Sequence, residues 1–145
     1  MIGFLQRVSS ASVTVEGRQI AAIAQGCMVL VGIEKDDNQA KAERLVERLL
    51  GYRVFTDASG RMNLSLRDIQ GGLLLVPQFT LAADTRKGLR PGFSRAASSE
   101  QAQALFEYLC QHASQLHTAV AQGRFGADMQ VSLTNDGPVS FWLQV

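Results

Sequence analysis

The sequence predicts an α/β fold: a mixed or largely antiparallel sheet, or one curled like a barrel, flanked by two helices. Three observations carry this expectation. Apolar residues recur at helical spacing in two places, from Ala42 to Leu50 and from Ala104 to Leu109. Two continuous apolar runs, Cys27 to Ile33 and Leu73 to Val76, have the length of strands buried on both faces. Alternating apolar residues open and close the chain. The order is strands, helix, strands, helix, strands, with no repeat, low-complexity tract or linker. Residues 1–145 are therefore expected to form one domain, as chains of roughly 100–150 residues usually do.

Each element has its own justification. Val8, Ala11, Val13 and Val15, the turn signal Glu16-Gly17, then Ile20 and Ile23, read as a β-hairpin. Asp36 and Asp37 open the first helix, with Gln39 three residues after Asp36 as in a capping box and Gly51 as the C′ residue. The segment RVFTDASGRMNLSL reads as two short strands around Asp57-Ala58-Ser59-Gly60. GGLLLVPQF is a buried strand stopped by Pro77. Residues 82–98 have no period and are rich in Gly, Pro and charge, a loop of the length that is usually functional or disordered. Ser98 with Gln101 starts the second helix, whose apolar stripe is Ala104, Leu105, Tyr108 and Leu109. Met129, Val131 and Leu133, then Val139, Phe141 and Leu143, read as two strands around the turn Asn135-Asp136-Gly137-Pro138.

Composition narrows the function classes. With 46% hydrophobic residues a core can form, and a net charge of +1 predicts no general affinity for nucleic acid or membranes, so any basic site must be local. The opening MIGFLQRVSS lacks the order of a secretory signal, and no apolar run approaches the roughly 20 residues of a membrane helix. Cys27 and Cys110 lack metal-type spacing and read as buried, reduced thiols of a cytoplasmic protein. His112 and His117 lack a partner at ligand spacing and read as surface or capping residues. Neither a phosphate loop nor a dinucleotide fingerprint is present, so no metal or cofactor is expected.

Two places break the local pattern. Gln78 and Thr80 alternate with Phe79 and Leu81 where a buried strand runs out, a common position for ligand sites; a plain strand end with a core Phe is the competing reading. Arg86, Lys87, Arg90 and Arg95 then fall in the loop that follows, which suits a polyanionic ligand or, equally, a solvated loop. The second place is Asn135-Asp136-Gly137-Pro138, where proline belongs at a strand start or edge.

Together these motifs make the chain resemble the D-aminoacyl-tRNA deacylase (D-tyrosyl-tRNA deacylase) family over essentially its whole length. The resemblance runs from IGFLQRVSSASVTVEG through VGIEKDD, GYRVFTDASGRMNLS and PQFTLAADTRKGLRPGFS to MQVSLTNDGPVSFWLQ. It implies that family's mixed, largely antiparallel, barrel-like sheet with two helices. It also implies hydrolysis of the ester between a D-amino acid and the terminal adenosine of tRNA, with no metal or cofactor, by a cytoplasmic homodimer. In the family a Ser-Gln-Phe-Thr motif lines the pocket; Gln78, Phe79 and Thr80 match it. An Asn-x-Gly-Pro-Val-Thr motif is matched by Asn135, Gly137, Pro138 and Val139. Its Gly-Pro bond is cis in the family, and reaches into the partner subunit's site, where its carbonyls exclude an L side chain. Glycyl esters would then partly escape. The chain departs at Pro77, where the family has Ser, losing a hydroxyl and an N–H, and at Ser140, which keeps the hydroxyl of Thr.

For such an ester the expected mechanism uses the main-chain N–H groups of Phe79 and Thr80 for the oxyanion, and water assisted by the substrate's ribose hydroxyl as nucleophile. Thr80 Oγ as nucleophile is the alternative, and it lacks an evident base. Gly137, Pro138, Asn135, Arg86, Lys87 and Arg90 would bind substrate. Two other classes stand beside this one. One is an aminoacyl-tRNA-binding protein without catalysis, and the other a structural dimer whose basic loop contacts nothing.

Overall fold

The computed structural model describes all 145 residues. Its organising element is β1 (Ile2–Val15), a 14-residue strand with neighbours on both edges. On one edge its first half pairs antiparallel with β3 (Gly26–Gly32), and its second half with β2 (Arg18–Ile23). The hairpin turn is where the sequence places it: Glu16 and Gly17 both have positive φ, as a tight turn matched to strand twist requires. On the other edge β8 (Gln130–Gln144) pairs with β1 along almost its whole length. Beyond β3 the pairing becomes parallel, to β6 (Gly72–Pro77) and then β7 (Val120–Gln122). The sheet is mixed, as expected, with order β2-β1-β3-β6-β7 and β8 on β1.

The two faces of the curled sheet bury different sets of side chains. Leu5, Val29, Val31, Leu73, Leu75 and Leu143 pack under helices α1 (Gln39–Gly51) and α3 (Ser99–Leu116). Val8, Ala11, Val13, Val15, Met28, Leu74 and Val76 form a second core within the curl. The odd-numbered residues of β1 serve first one core and then the other because its ladder with β8 has one extra β1 residue, Ser9, between the Val8 and Ser10 pairings, which shifts the alternation by one residue. The curl is tight where β3 and β6 start: a Cβ on Gly26 would lie 1.9 Å from the Gly72 carbonyl oxygen.

The helices depart from the sequence expectation in four respects. α1 is capped by Asn38, whose Oδ1 accepts from the Lys41 N–H at 3.1 Å, and not by Asp36 with Gln39. The reason is long-range. The buried Asp37 carboxylate accepts from the Met1 amine at 2.6 Å, the Glu34 N–H at 2.7 Å and Lys41 Nζ at 3.0 Å, so the aspartates belong to the loop and the helix begins after them. Gly51 stays inside the last turn, and Tyr52 is the extended cap. A third helix, α2 (Leu66–Ile69), adds to the two expected; at four residues it is too short to show a period, and a reciprocal Ser65–Asp68 capping box holds it. At α3 Ser98 caps through the Gln101 N–H as expected, but the Gln101 amide donates to the carbonyls of Lys35 and Asp37, so only half a box forms. The strands β4 (Phe55–Thr56) and β5 (Met62–Leu64) flank the Asp57 turn.

The largest departure is at the C-terminus. Asn135-Asp136-Gly137-Pro138 is not a hairpin turn. Gln130–Gln144 is one strand running past it in a single direction. The β1 ladder goes from Val8↔Asn135 to Gln6↔Ser140, so residues 136–139 bulge out opposite Arg7 alone. A bulge takes the same chemistry as a turn: glycine at a positive φ, and proline where a ladder N–H is dispensable.

Both cysteines are buried and unpaired, and burial pushes each thiol up to about 12. Neither is expected to react with a thiol reagent at pH 8 in the native protein, and both should react once it unfolds; rapid native labelling would contradict this placement. Gly26→Ala should lower stability by about 3 kcal/mol or more, since the clash is with backbone. Gly51→Ala, in open space on a helix, should be neutral or stabilise by about 0.5–1 kcal/mol. Urea midpoints compare the two.

Candidate active site

The first motif follows β6 directly. The Gln78 N–H still donates to the Val31 carbonyl at 2.7 Å, and the chain then closes into a 3₁₀ turn, Phe79–Ala82, where the sequence suggested continuing alternation. The turn's first hydrogen bond runs from the Leu81 N–H to the Gln78 carbonyl, and its last from the Ala83 N–H to the Thr80 carbonyl. The amides of Phe79 and Thr80 precede that first bond and have no acceptor within the turn. Two adjacent free N–H groups at the end of a buried strand form a donor pair suited to a developing oxyanion. The Gln78 side-chain amide donates to Thr80 Oγ1, which fixes that hydroxyl.

Pro77 leaves this arrangement intact. Along β6 Leu73 donates toward β7, to Ala119, and Gln78 toward β3. By alternation residue 77 faces the β7 side, beyond that strand's last residue, Gln122. On that side the Gly123 N–H donates to the Leu75 carbonyl at 2.8 Å, and the ladder ends there because proline has no N–H for a further rung.

Phe79 is not a core residue. It is 60% exposed, and its ring lies 5.1 Å from that of Phe93, itself 40% exposed. The loop between them is pinned at its base: the Asp84 and Gly92 amides each donate to the other's carbonyl, and Ala97 N–H donates to Ile33. The four cations expected to act together divide into two kinds. Arg86 donates through Nε and Nη2 to Asp84, and this bonding holds the Asp84 carboxyl well below the usual carboxylate range. Arg95 pairs with Glu34 at 2.6 Å. Lys87 and Arg90 have no carboxylate partner and face a cleft of about 490 Å³ that Gly92 and Ser94 also line. A second cleft, of about 350 Å³, has Thr80, Leu81, Thr85, Arg95 and Trp142 among its walls.

The second motif is held by a residue the sequence reading passed over. Arg7 Nε donates to the Asp136 carbonyl at 2.8 Å and lies 3.3 Å from the Asp136 carboxylate, while Nη1 donates to the Val54 carbonyl at 2.6 Å. Its side chain is 11% exposed. Asn135 Nδ2 donates to Gln6 Oε1 at 3.3 Å, tying down the start of the bulge. Gly137 has φ +133°, and a Cβ there would lie 2.9 Å from Val139 Cγ2 and 3.0 Å from Arg7 Nη2. The Gly137-Pro138 peptide is cis. The one clue in the sequence was a full charge within a strand of neutral residues; what it bonds to depends on pairing across the chain.

The structure does not bring the two motifs together within one chain. Pro77 stands in the row of Val31 and Gly3, whereas the bulge stands in the row of Arg7, Cys27 and Leu73. Four residues along β1 separate them, roughly 13 Å before strand spacings are added. The Thr80 cleft takes Trp142 from β8 but neither Gly137 nor Pro138. Of the histidines, His117 is buried and caps α3, with Nε2 2.7 Å from the Gly71 carbonyl, and His112 stacks on Tyr108. No three His, Cys, Asp or Glu side chains converge on one point, and no helix is long and apolar enough to cross a membrane.

Known proteins resemble this chain from end to end. A family model described as "D-Tyr-tRNA(Tyr) deacylase" matches residues 4–144. A protein of Citrobacter koseri named D-aminoacyl-tRNA deacylase is 57% identical over 145 residues, covering 100% of both chains. One of the same name from Thioalkalivibrio sulfidiphilus is 59% identical, covering 100% of this chain and 97% of the relative. Among solved structures, one titled "c-Myc DNA Unwinding Element Binding Protein" superposes with a TM-score of 0.95 at 40% identity, over 100% of this chain and 99% of the other. Another, titled a probable eukaryotic D-amino acid tRNA deacylase, gives 0.86 at 17% identity over 99% and 98%, a likeness of fold alone. On the extent and identity of these matches, the chain belongs to the D-Tyr-tRNA(Tyr) deacylase family.

Proposed function

We propose that the chain hydrolyses the ester linking a D-amino acid to the terminal adenosine of tRNA, releasing free tRNA and the amino acid, as a single catalytic domain spanning residues 1–145. The observation that carries this is the end-to-end match, at 56–59% identity, to relatives named for that reaction. These relatives do not favour a binding protein without catalysis, and the free amides at Phe79 and Thr80 supply a means of catalysis.

The ester carbonyl oxygen would sit against the Phe79 and Thr80 N–H groups, which stabilise the oxyanion as water attacks. Water assisted by the ribose hydroxyl is the nucleophile. Thr80 Oγ1 already accepts from Gln78, and no base stands beside it to take its proton. Lys87 and Arg90 carry the phosphate contacts; Arg86, neutralised by Asp84, has a lesser part.

Selection against L-esters is assigned to the Gly137-Pro138 bulge of a second copy. The separation of the motifs within one chain supports a homodimer, and so does the exposed Trp142, whose ring lies 6.5 Å from its cross-strand neighbour Phe4. A backbone wall clamped by Arg7 excludes one enantiomer by clash without reading the side chain. Glycine, with no side chain, would pass. The reaction places the protein with the cytoplasmic pool of charged tRNA.

With EDTA present, purified protein should rapidly deacylate D-Tyr-tRNA and Gly-tRNA and leave L-Tyr-tRNA intact; equal loss of the D and L esters would refute the chiral reading. Thr80→Ala should keep turnover within a few-fold of wild type. A loss of the roughly 10²–10³-fold typical of removing a catalytic group would instead give Thr80 a direct role. In salt titrations of tRNA binding, Lys87→Ala and Arg90→Ala should each reduce the slope by about 1, and Arg86→Ala by less; equal effects of all three would overturn the division of the loop.

A further inference from the structure

The ring pair Phe79–Phe93 is unexplained by packing within the chain. Phenylalanine belongs inside, and two phenylalanines 60% and 40% exposed, with centroids 5.1 Å apart, leave apolar faces in water. Their surroundings are polar and cationic. Gly92 and Ser94, on either side of Phe93, line the cleft that Lys87 and Arg90 face without a carboxylate partner. The pair therefore stands between the free amides of Phe79 and Thr80 and a cleft whose uncompensated charge is positive. An apolar face next to two free cations fits a ligand that carries flat rings and anionic groups in alternation. A single-stranded nucleic acid has that composition: bases stack on aromatic faces and phosphates pair with cations. An apolar peptide would leave Lys87 and Arg90 unmatched, and a duplex would hide its bases.

We propose that Phe79 and Phe93 form a stacking surface for an unpaired base in the 3′ end of the tRNA, with Lys87 and Arg90 holding the phosphates on its 5′ side. This rests on the tRNA-ester reading above and adds a recognition element to it. The loop acts as a positioning device: it sets the direction of the strand so that its last ribose meets the Phe79 and Thr80 amides. Because any base has a flat face, the surface is tolerant of sequence.

Phe93 tests this, since it carries none of the proposed chemistry. The probes are a single-stranded RNA oligonucleotide ending in CCA and the same oligonucleotide with abasic sites in its last three positions. Phe93→Leu keeps the apolar bulk and removes the aromatic face; Phe93→Trp keeps a face. Phe93→Leu should weaken binding of the intact oligonucleotide by about 10-fold, the range of one lost stacking contact, and leave the abasic one unchanged. Phe93→Trp should bind both as wild type does. With D-Tyr-tRNA, Phe93→Leu should raise KM and spare kcat. An equal loss for intact and abasic RNA, or no loss for either, overturns the stacking surface. Coupling to the bases in a wild-type protein that fails to deacylate D-Tyr-tRNA would support the surface and refute the deacylase reading. Deacylation without coupling would do the reverse.

Discussion

The structure depends most on the pairing of β1 with β8, and on what Arg7 does within it. Two strands of 14 and 15 residues run antiparallel, and a regular ladder between them would present only side chains at mid-length. Four residues, Asp136 to Val139, leave the ladder opposite Arg7 and present main chain to the outside. Main chain released from a ladder is ordinarily loose. Here the Arg7 guanidinium is nearly buried and grips both the Asp136 and the Val54 carbonyls, so the bulge is fixed between the long strand and the start of β4. Such a fork, with several donors in one plane, is work that lysine could not do in the same way. A second irregularity follows at once: β1 carries one extra residue, Ser9, between the Val8 and Ser10 pairings, and beyond it the odd-numbered residues of β1 turn from the helix-covered core to the core within the curl.

The other half of the proposed site comes from the end of a buried parallel strand. β6 lies between β3 and β7, with Leu73 to Val76 fully enclosed, so the position where it stops is set by the core. Past Pro77 the chain has only to turn, and the 3₁₀ turn exposes two amides at a fixed place. Fixed donors cost little reorganisation when charge develops, which is why a main-chain site can serve an ester without metal-type ligands or a histidine. Rigid backbone thus appears twice in the proposed mechanism, as donors in one copy and as a wall from the other.

Much of the fold was legible in the sequence. The opening hairpin, the two buried runs, both long helices and the mixed, curled sheet follow from periodicity and turn chemistry, which are local. What was not legible was decided by distant partners. Asn-Asp-Gly-Pro reads as a turn because bulges and turns use the same residues; only the β1 ladder shows that the strand continues. Asp36 and Asp37 look like caps until the Met1 amine draws Asp37 inward. The basic loop looks like four free cations until Asp84 and Glu34 take two of them. Phe79, open to reading as a core residue, is exposed beside Phe93. Arg7 was passed over because a lone arginine in a strand has no local signature. Gln78, Thr80, Gly137 and Pro138 stand out where the local pattern breaks, and the resemblance supplies their expected roles; the structure adds the contacts around the two segments.

Arg7 holds the bulge in place, and on the proposed function this rigid wall supplies the discrimination. The direct measurement is the ratio of D-Tyr-tRNA to L-Tyr-tRNA deacylation rates for Arg7→Ala against wild type, at a temperature where both are folded. If the wall discriminates, the ratio falls by about 10-fold or more, the effect of roughly 1.4 kcal/mol, through gain of L-ester hydrolysis with D-ester hydrolysis largely kept. A folded Arg7→Ala protein that discriminates as sharply as wild type would contradict it.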